Sequence, residues 1–128
     1  MTVILTNILA VALGSGIGGA ARYAVGLIIP GDASAGSFPW GTFTVNVLGC
    51  LIIGLICGLV ERGWTLSTAM RLFLTVGICG GFTTFSTFVN ENYSLLSCAC
   101  WTSLVYTVAS LLVGLAMVYA GHLLASIH

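Results

Sequence analysis

The chain has 128 residues, 59% of them hydrophobic and 5% charged, and its formal net charge is zero. Soluble domains carry about 25% charged residues, so a soluble globular fold is excluded. Three arginines, no lysine and three carboxylates leave neither a basic surface for nucleic acid nor an acidic tail.

A membrane-spanning helix needs about 20 mostly apolar residues. Four stretches meet that length, at residues 3–29, 40–60, 67–97 and 100–125. With their turns they use nearly the whole chain, so residues 1–128 are expected to form one all-α transmembrane domain. The expected location is the cell (inner or plasma) membrane. The first stretch begins like a leader, with an apolar run before Gly18-Gly19-Ala20-Ala21. No Lys or Arg precedes the run and it continues past the small residues, so it reads as a retained span.

Residues 30–37 form a loop by composition, and 61–64 a short polar turn. The third and fourth spans meet in a tight turn at 95–99. Trp40, Trp64 and Trp101 fall at expected helix ends, where aromatic rings settle at headgroup level. Gly14/Gly18, Gly54/Gly58 and Gly77/Gly81 each put two glycines on one helix face, which lets helices approach closely in lipid. The five cysteines lie in apolar segments and read as small buried hydrophobes rather than a disulfide framework or a metal site. With both termini on one side, Arg62 and Arg71 lie near that side and Arg22 near the other. That weak bias would let the chain insert both ways, which permits an antiparallel dimer without requiring one.

The third span carries Gly77-Ile78-Cys79-Gly80-Gly81-Phe82-Thr83-Thr84-Phe85-Ser86-Thr87-Phe88. Paired glycines followed by hydroxyl residues can unwind a helix in mid-membrane. The freed backbone groups must be satisfied by protein, water or an ion. Two readings stay open: a kink packed against a neighbour with Ser and Thr bonding to their own turns, or an ion site. Phe85 and Phe88 share a helix face, either for packing or to present their positive ring edges to an anion. Asn46, inside Gly41-Thr42-Phe43-Thr44-Val45-Asn46, could donate its amide to an anion or join two helices. Arg22 could snorkel to the headgroups or line a vestibule. Glu91 could pair with an arginine or cap a polar track. Tyr106 and Ser110, one turn apart, place hydroxyls on one face of the fourth span. His122 and His128 have no assigned role. No Ser/His/Asp set, carboxylate pair, phosphate loop or metal motif is present, so nothing supports an enzyme.

Gly-Thr-Phe-Thr-Val-Asn at 41–46 and Gly-Gly-Phe-Thr-Thr-Phe-Ser-Thr-Phe at 80–88 resemble the signatures of the Fluc (CrcB-type) fluoride channels. The likeness extends over the whole chain, through the arginine late in the first span to the Phe-x-x-Glu ending at Glu91. It implies four spans with the third broken mid-membrane, in an antiparallel dual-topology homodimer with two fluoride pores. Phe85 and Phe88 would line the pores, with Asn46, Ser86 and Thr87 as donors. Tyr106 and Ser110 would extend the track, by spacing alone. The Gly80 and Thr83 carbonyls of both subunits would hold a structural sodium ion, and Arg22 would stand at the vestibule. Val89 departs from the small or polar residue common there. Both phenylalanines are retained, which favours a homodimer over paired unlike subunits. The implied role is passive release of cytoplasmic fluoride.

The rivals are a small four-helix multidrug-type exporter and a non-transporting accessory subunit. A proton-coupled exporter needs a carboxylate deep in a span. The first span has none, and Glu91 is placed by the sequence near the end of the third.

Overall fold

The computed structural model describes residues Met1–Ile127; His128 lies outside them. The chain is all-α and crosses the membrane four times. Helix α1 is Thr2–Ile28 and α2 is Trp40–Glu61. The third span is divided. Its first half, α3, runs through Thr68–Leu72, a π-helical turn at Phe73–Cys79, and Gly80–Phe82. Its second half, α4, is Phe85–Cys98. The last helix, α5, is Cys100–Ser126.

At about 1.5 Å rise per residue, the 27 residues of α1 and of α5 reach about 40 Å, more than the roughly 30 Å hydrocarbon core. The expected loop at 30–37 contains a short 3-10 turn, Ala33–Ala35, capped by the Asp32 carboxylate on the Ser34 N–H and closed by Gly36 at φ 81°. The expected turn at 95–99 is far tighter. Only Ala99 leaves the helical conformation, and Leu95 is a fully buried helical residue. Trp40 and Trp101 stand at helix starts and Trp64 in the turn after α2, each more than half exposed.

The glycine pairs act as close-packing faces. A methyl group added at Gly77 would lie 2.9 Å from the Gly14 Cα, and one at Gly81 would lie 2.6 Å from the Ser15 carbonyl. So α1 lies directly on the backbone of α3. On the other side, a methyl group at Gly121 would lie 2.5 Å from backbone atoms of Leu51 and Leu55, which presses α5 on α2. Apolar contacts gain little in lipid, so such backbone approach supplies the packing. Cys79 is buried, but Cys98 and Cys100 are exposed, contrary to the buried reading of all five thiols. They flank Ala99 at the junction of α4 and α5, where only the 3-10 turn comes against Cys98.

The helix pairs leave α4 resting mainly on α5 and on the 3-10 turn. A small core sits there, built from Ala33, Leu95 and Tyr106 with Phe38, Phe43 and Phe88 around them.

Candidate functional site

The helix breaks at Thr83 and Thr84, whose backbones are extended (ψ 161° and 119°). Each freed group at this depth needs a partner, and specific side chains provide several. Asn46 Oδ1 accepts from the Thr84 N–H at 2.8 Å, and Asn46 Nδ2 donates to the Thr84 carbonyl at 3.2 Å. Arg22 Nε donates to the Gly81 carbonyl at 3.2 Å. Thr84 Oγ1 accepts from the Thr87 N–H at 3.3 Å and caps α4.

Two carbonyls are freed by these diversions. In an unbroken helix the Thr84 N–H would donate to Gly80 and the Thr87 N–H to Thr83. Both donors are bonded elsewhere. Gly80 is also exposed on the surface of the single chain.

Two cavities flank the break. The first, about 390 Å³, is lined by Asn46, Thr75, Gly80, Thr83, Phe85, Phe88 and Ser110, among others. Room for Thr83 comes from Gly49, whose bare Cα faces the Thr83 methyl group. Ser110 Oγ is buried without a hydrogen-bond partner among the described residues. Asn46 Nδ2 carries two hydrogens, and one remains after the bond to Thr84. The rings of Phe85 and Phe88 lie 6.1 Å apart and tilted by 39°. The second cavity, about 320 Å³, is lined by Arg22, Thr42, Thr87 and Glu91, and Thr84 separates it from the first.

The residues singled out in the sequence therefore fall in different places. Asn46, Phe85, Phe88, Ser110, Gly80 and Thr83 share the first cavity, while Arg22, Thr87 and Glu91 share the second. Ser86 is exposed and lines neither. Tyr106 is fully buried behind Phe88, with ring centroids 5.0 Å apart, and its hydroxyl donates to Glu91 Oε1 at 3.0 Å. So Tyr106 does not share the cavity of Ser110, although the two are one turn apart. Glu91 stands seven residues before the end of the third span at Cys98, as the sequence placed it, and in the middle of the 14-residue α4. Its partner is a tyrosine rather than an arginine. Asn46 joins two helices, as one of its two readings required, and still keeps a free donor.

Residues passed over in the sequence are Thr42, Asn92, Ser103 and Thr107. Ser103, Tyr106, Thr107 and Ser110 form one hydroxyl stripe at helical spacing, a signal that was available. The π turn had none.

Arg22 neutralises the carbonyl end of α3 as well as charging the second cavity. Arg22→Ala is expected to lower stability by about 1–3 kcal/mol, the cost of an unsatisfied buried acceptor. Arg71→Ala is the comparison, since Arg71 is exposed and its side chain makes no hydrogen bond among the described residues. Its thermal midpoint in detergent should match that of the parent, while the Arg22 variant melts lower.

A polytopic bundle with one broken span and polar groups gathered at the break is the architecture of a small ion-conducting membrane protein. A family profile described as "CrcB-like protein, Camphor Resistance (CrcB)" matches residues 9–122. A relative from Chloroflexus aurantiacus named "Fluoride-specific ion channel FluC" is 47% identical over 118 residues, which is 91% of this chain and 93% of the relative. One of that name from Nitrobacter winogradskyi is 43% identical over 122 residues, covering 95% and 93%. "Fluoride-specific ion channel FluC 1" from Nitrobacter hamburgensis is 50% identical over 91 residues, covering 71% of each. The chain belongs to the FluC/CrcB family, a family of channels and not of enzymes.

Proposed function

We propose that this chain is a fluoride-selective passive channel that releases cytoplasmic fluoride as an antiparallel, dual-topology homodimer with two pores. The observation that carries the reading is the donor set of the first cavity. An unpartnered Ser110 hydroxyl, a free amide hydrogen of Asn46 and two tilted phenyl rings meet there without a cationic side chain. Fluoride is small and strongly hydrated, so a pore must replace its water with donors without trapping the ion. Hydroxyl, amide and aromatic edges do so. The names of the relatives point the same way.

A second copy is favoured by what one chain leaves open. Phe85 is 77% exposed and Gly80 is exposed beside it. Lipid cannot satisfy the polar groups of that cavity, whereas another protein surface can. The residues also fit a structural sodium ion. Gly80 and Thr83 carry the two carbonyls whose usual donors are diverted, and both line the first cavity. Bound there, sodium would offset the broken backbone and make the potential favourable to an anion. Arg22 in the second cavity draws anions toward the break, and Thr87 offers a hydroxyl on the way. Ser86, exposed on α4, would donate only across a subunit interface. Tyr106 acts through Phe88 and Glu91 rather than by direct contact with the ion. An inside-negative potential drives the anion outward, by about 2.3 kcal/mol per charge per 100 mV.

Cells lacking their own route for fluoride export test this directly. Expression of the chain should restore growth at a fluoride concentration that stops the empty-vector control. Failure to protect, with the protein demonstrably in the membrane, would count against the proposal.

A further inference from the structure

The half-helix α4 carries Phe88 yet has few fixed neighbours. It packs mainly on α5 and on the turn Ala33–Ala35. Apolar contact between helices in lipid gains little over contact with lipid. Shape and polar bonds must therefore set how far α4 slides along α5 and how it is rotated.

Two adjacent residues of α4 make those bonds. Asn92 Oδ1 accepts from Ser103 Oγ at 2.7 Å and from Thr107 Oγ1 at 2.9 Å. Its Nδ2 donates to the Phe88 carbonyl at 3.0 Å. Glu91 accepts from the Tyr106 hydroxyl at 3.0 Å, and Phe88 rests on the Tyr106 ring. Tyr106 and Ser103 are 0% and 5% exposed, which shields their ends of these bonds.

We propose that Asn92 is a positioning residue, which with Glu91 clamps α4 onto α5 and fixes where the Phe88 ring stands in the first cavity. The role in conduction rests on the channel reading above; the clamp itself does not. Ser103 and Thr107 are one helical turn apart, and Asn92 sits between them. A slide of one turn, about 5.4 Å, takes Glu91 away from Tyr106 in either direction, and toward Ala99 it also costs Asn92 one of its two hydroxyls. Only one register satisfies all three donors. The next hydroxyl of the same stripe, Ser110, is the one left without a partner, and it opens into the cavity beside Phe88. One stripe thus sets the register of the ring and supplies the donor that faces it.

The test places 4-fluorophenylalanine at position 88 of the full chain and records its ¹⁹F resonance in detergent without added fluoride. It compares the parent with Asn92→Ala and with the double variant Ser103→Ala, Thr107→Val, which removes the clamp from the opposite helix. A single resonance in the parent that shifts or splits in either folded variant is expected. Fluoride flux per folded dimer should fall about three- to tenfold in the same variants, the range set by one or two interhelical hydrogen bonds. An unmoved resonance in the folded variants would overturn the clamp. A moved resonance with undiminished flux in a conducting parent would overturn its role in conduction. A parent that conducts no fluoride defeats the channel reading instead, and the resonance still decides the clamp.

Discussion

Replacing Phe85 or Phe88 by isoleucine should cut fluoride flux by about two- to tenfold, since edge contacts of aromatic rings are worth about 0.5–1.5 kcal/mol and 1.36 kcal/mol on a barrier is tenfold. Isoleucine keeps the apolar bulk and removes the positive ring edge. The two variants should differ in stability. Phe88 is half-buried against Tyr106, so its replacement leaves a poorly filled site in the small core. Phe85 is 77% exposed in the single chain and contributes little to that core. Flux should therefore fall in both, while the thermal midpoint of the monomeric fold falls mainly in Phe88→Ile. Unchanged flux in both variants, measured per folded protein, would remove the aromatic pair from the mechanism.

Asn46→Leu should silence the channel and destabilise it together. Leucine has nearly the shape of asparagine but leaves the Thr84 N–H and carbonyl without their partners. Each unsatisfied buried group costs about 1–3 kcal/mol, so the midpoint in detergent should drop by several degrees. Leucine also removes the amide hydrogen that Asn46 keeps free in the first cavity, so flux falls with stability. Ser110→Ala separates the two effects. Its hydroxyl has no partner to lose, so removing it should leave stability unchanged or raised while flux falls. A stable Asn46→Leu variant with parental flux would show that the break is held by other contacts.

Much of this was legible before the structure. The four spans follow from hydropathy and length, and the break from Gly80-Gly81 and the hydroxyl run after it. The glycine pairs marked faces of close approach, but which helices meet there, α1 on α3 and α5 on α2, came from the structure. Asn46 stood out because a lone amide in an apolar span must bond to something. What remained hidden depended on tertiary register. Tyr106 and Ser110 share a helix face, yet α4 ends between them, so one is covered and the other opens on a cavity. Arg22 could snorkel or line a vestibule by sequence; its bond to Gly81 needs the crossing of α1 and α3, fixed by Gly14 against Gly77. The π turn at Phe73–Cys79 has no compositional mark, and its Gly80 N–H reaching back to Thr75 appears only in three dimensions.

The most direct measurement is anion efflux from liposomes that hold the purified protein. Vesicles loaded with potassium fluoride or potassium chloride are diluted into low-anion buffer, and release is followed with ion-selective electrodes after valinomycin is added. Rapid valinomycin-dependent loss of fluoride with chloride retained is the predicted result, because passive anion flow needs a compensating potassium path. Vesicles that keep their fluoride, despite folded protein in the bilayer, would contradict the channel.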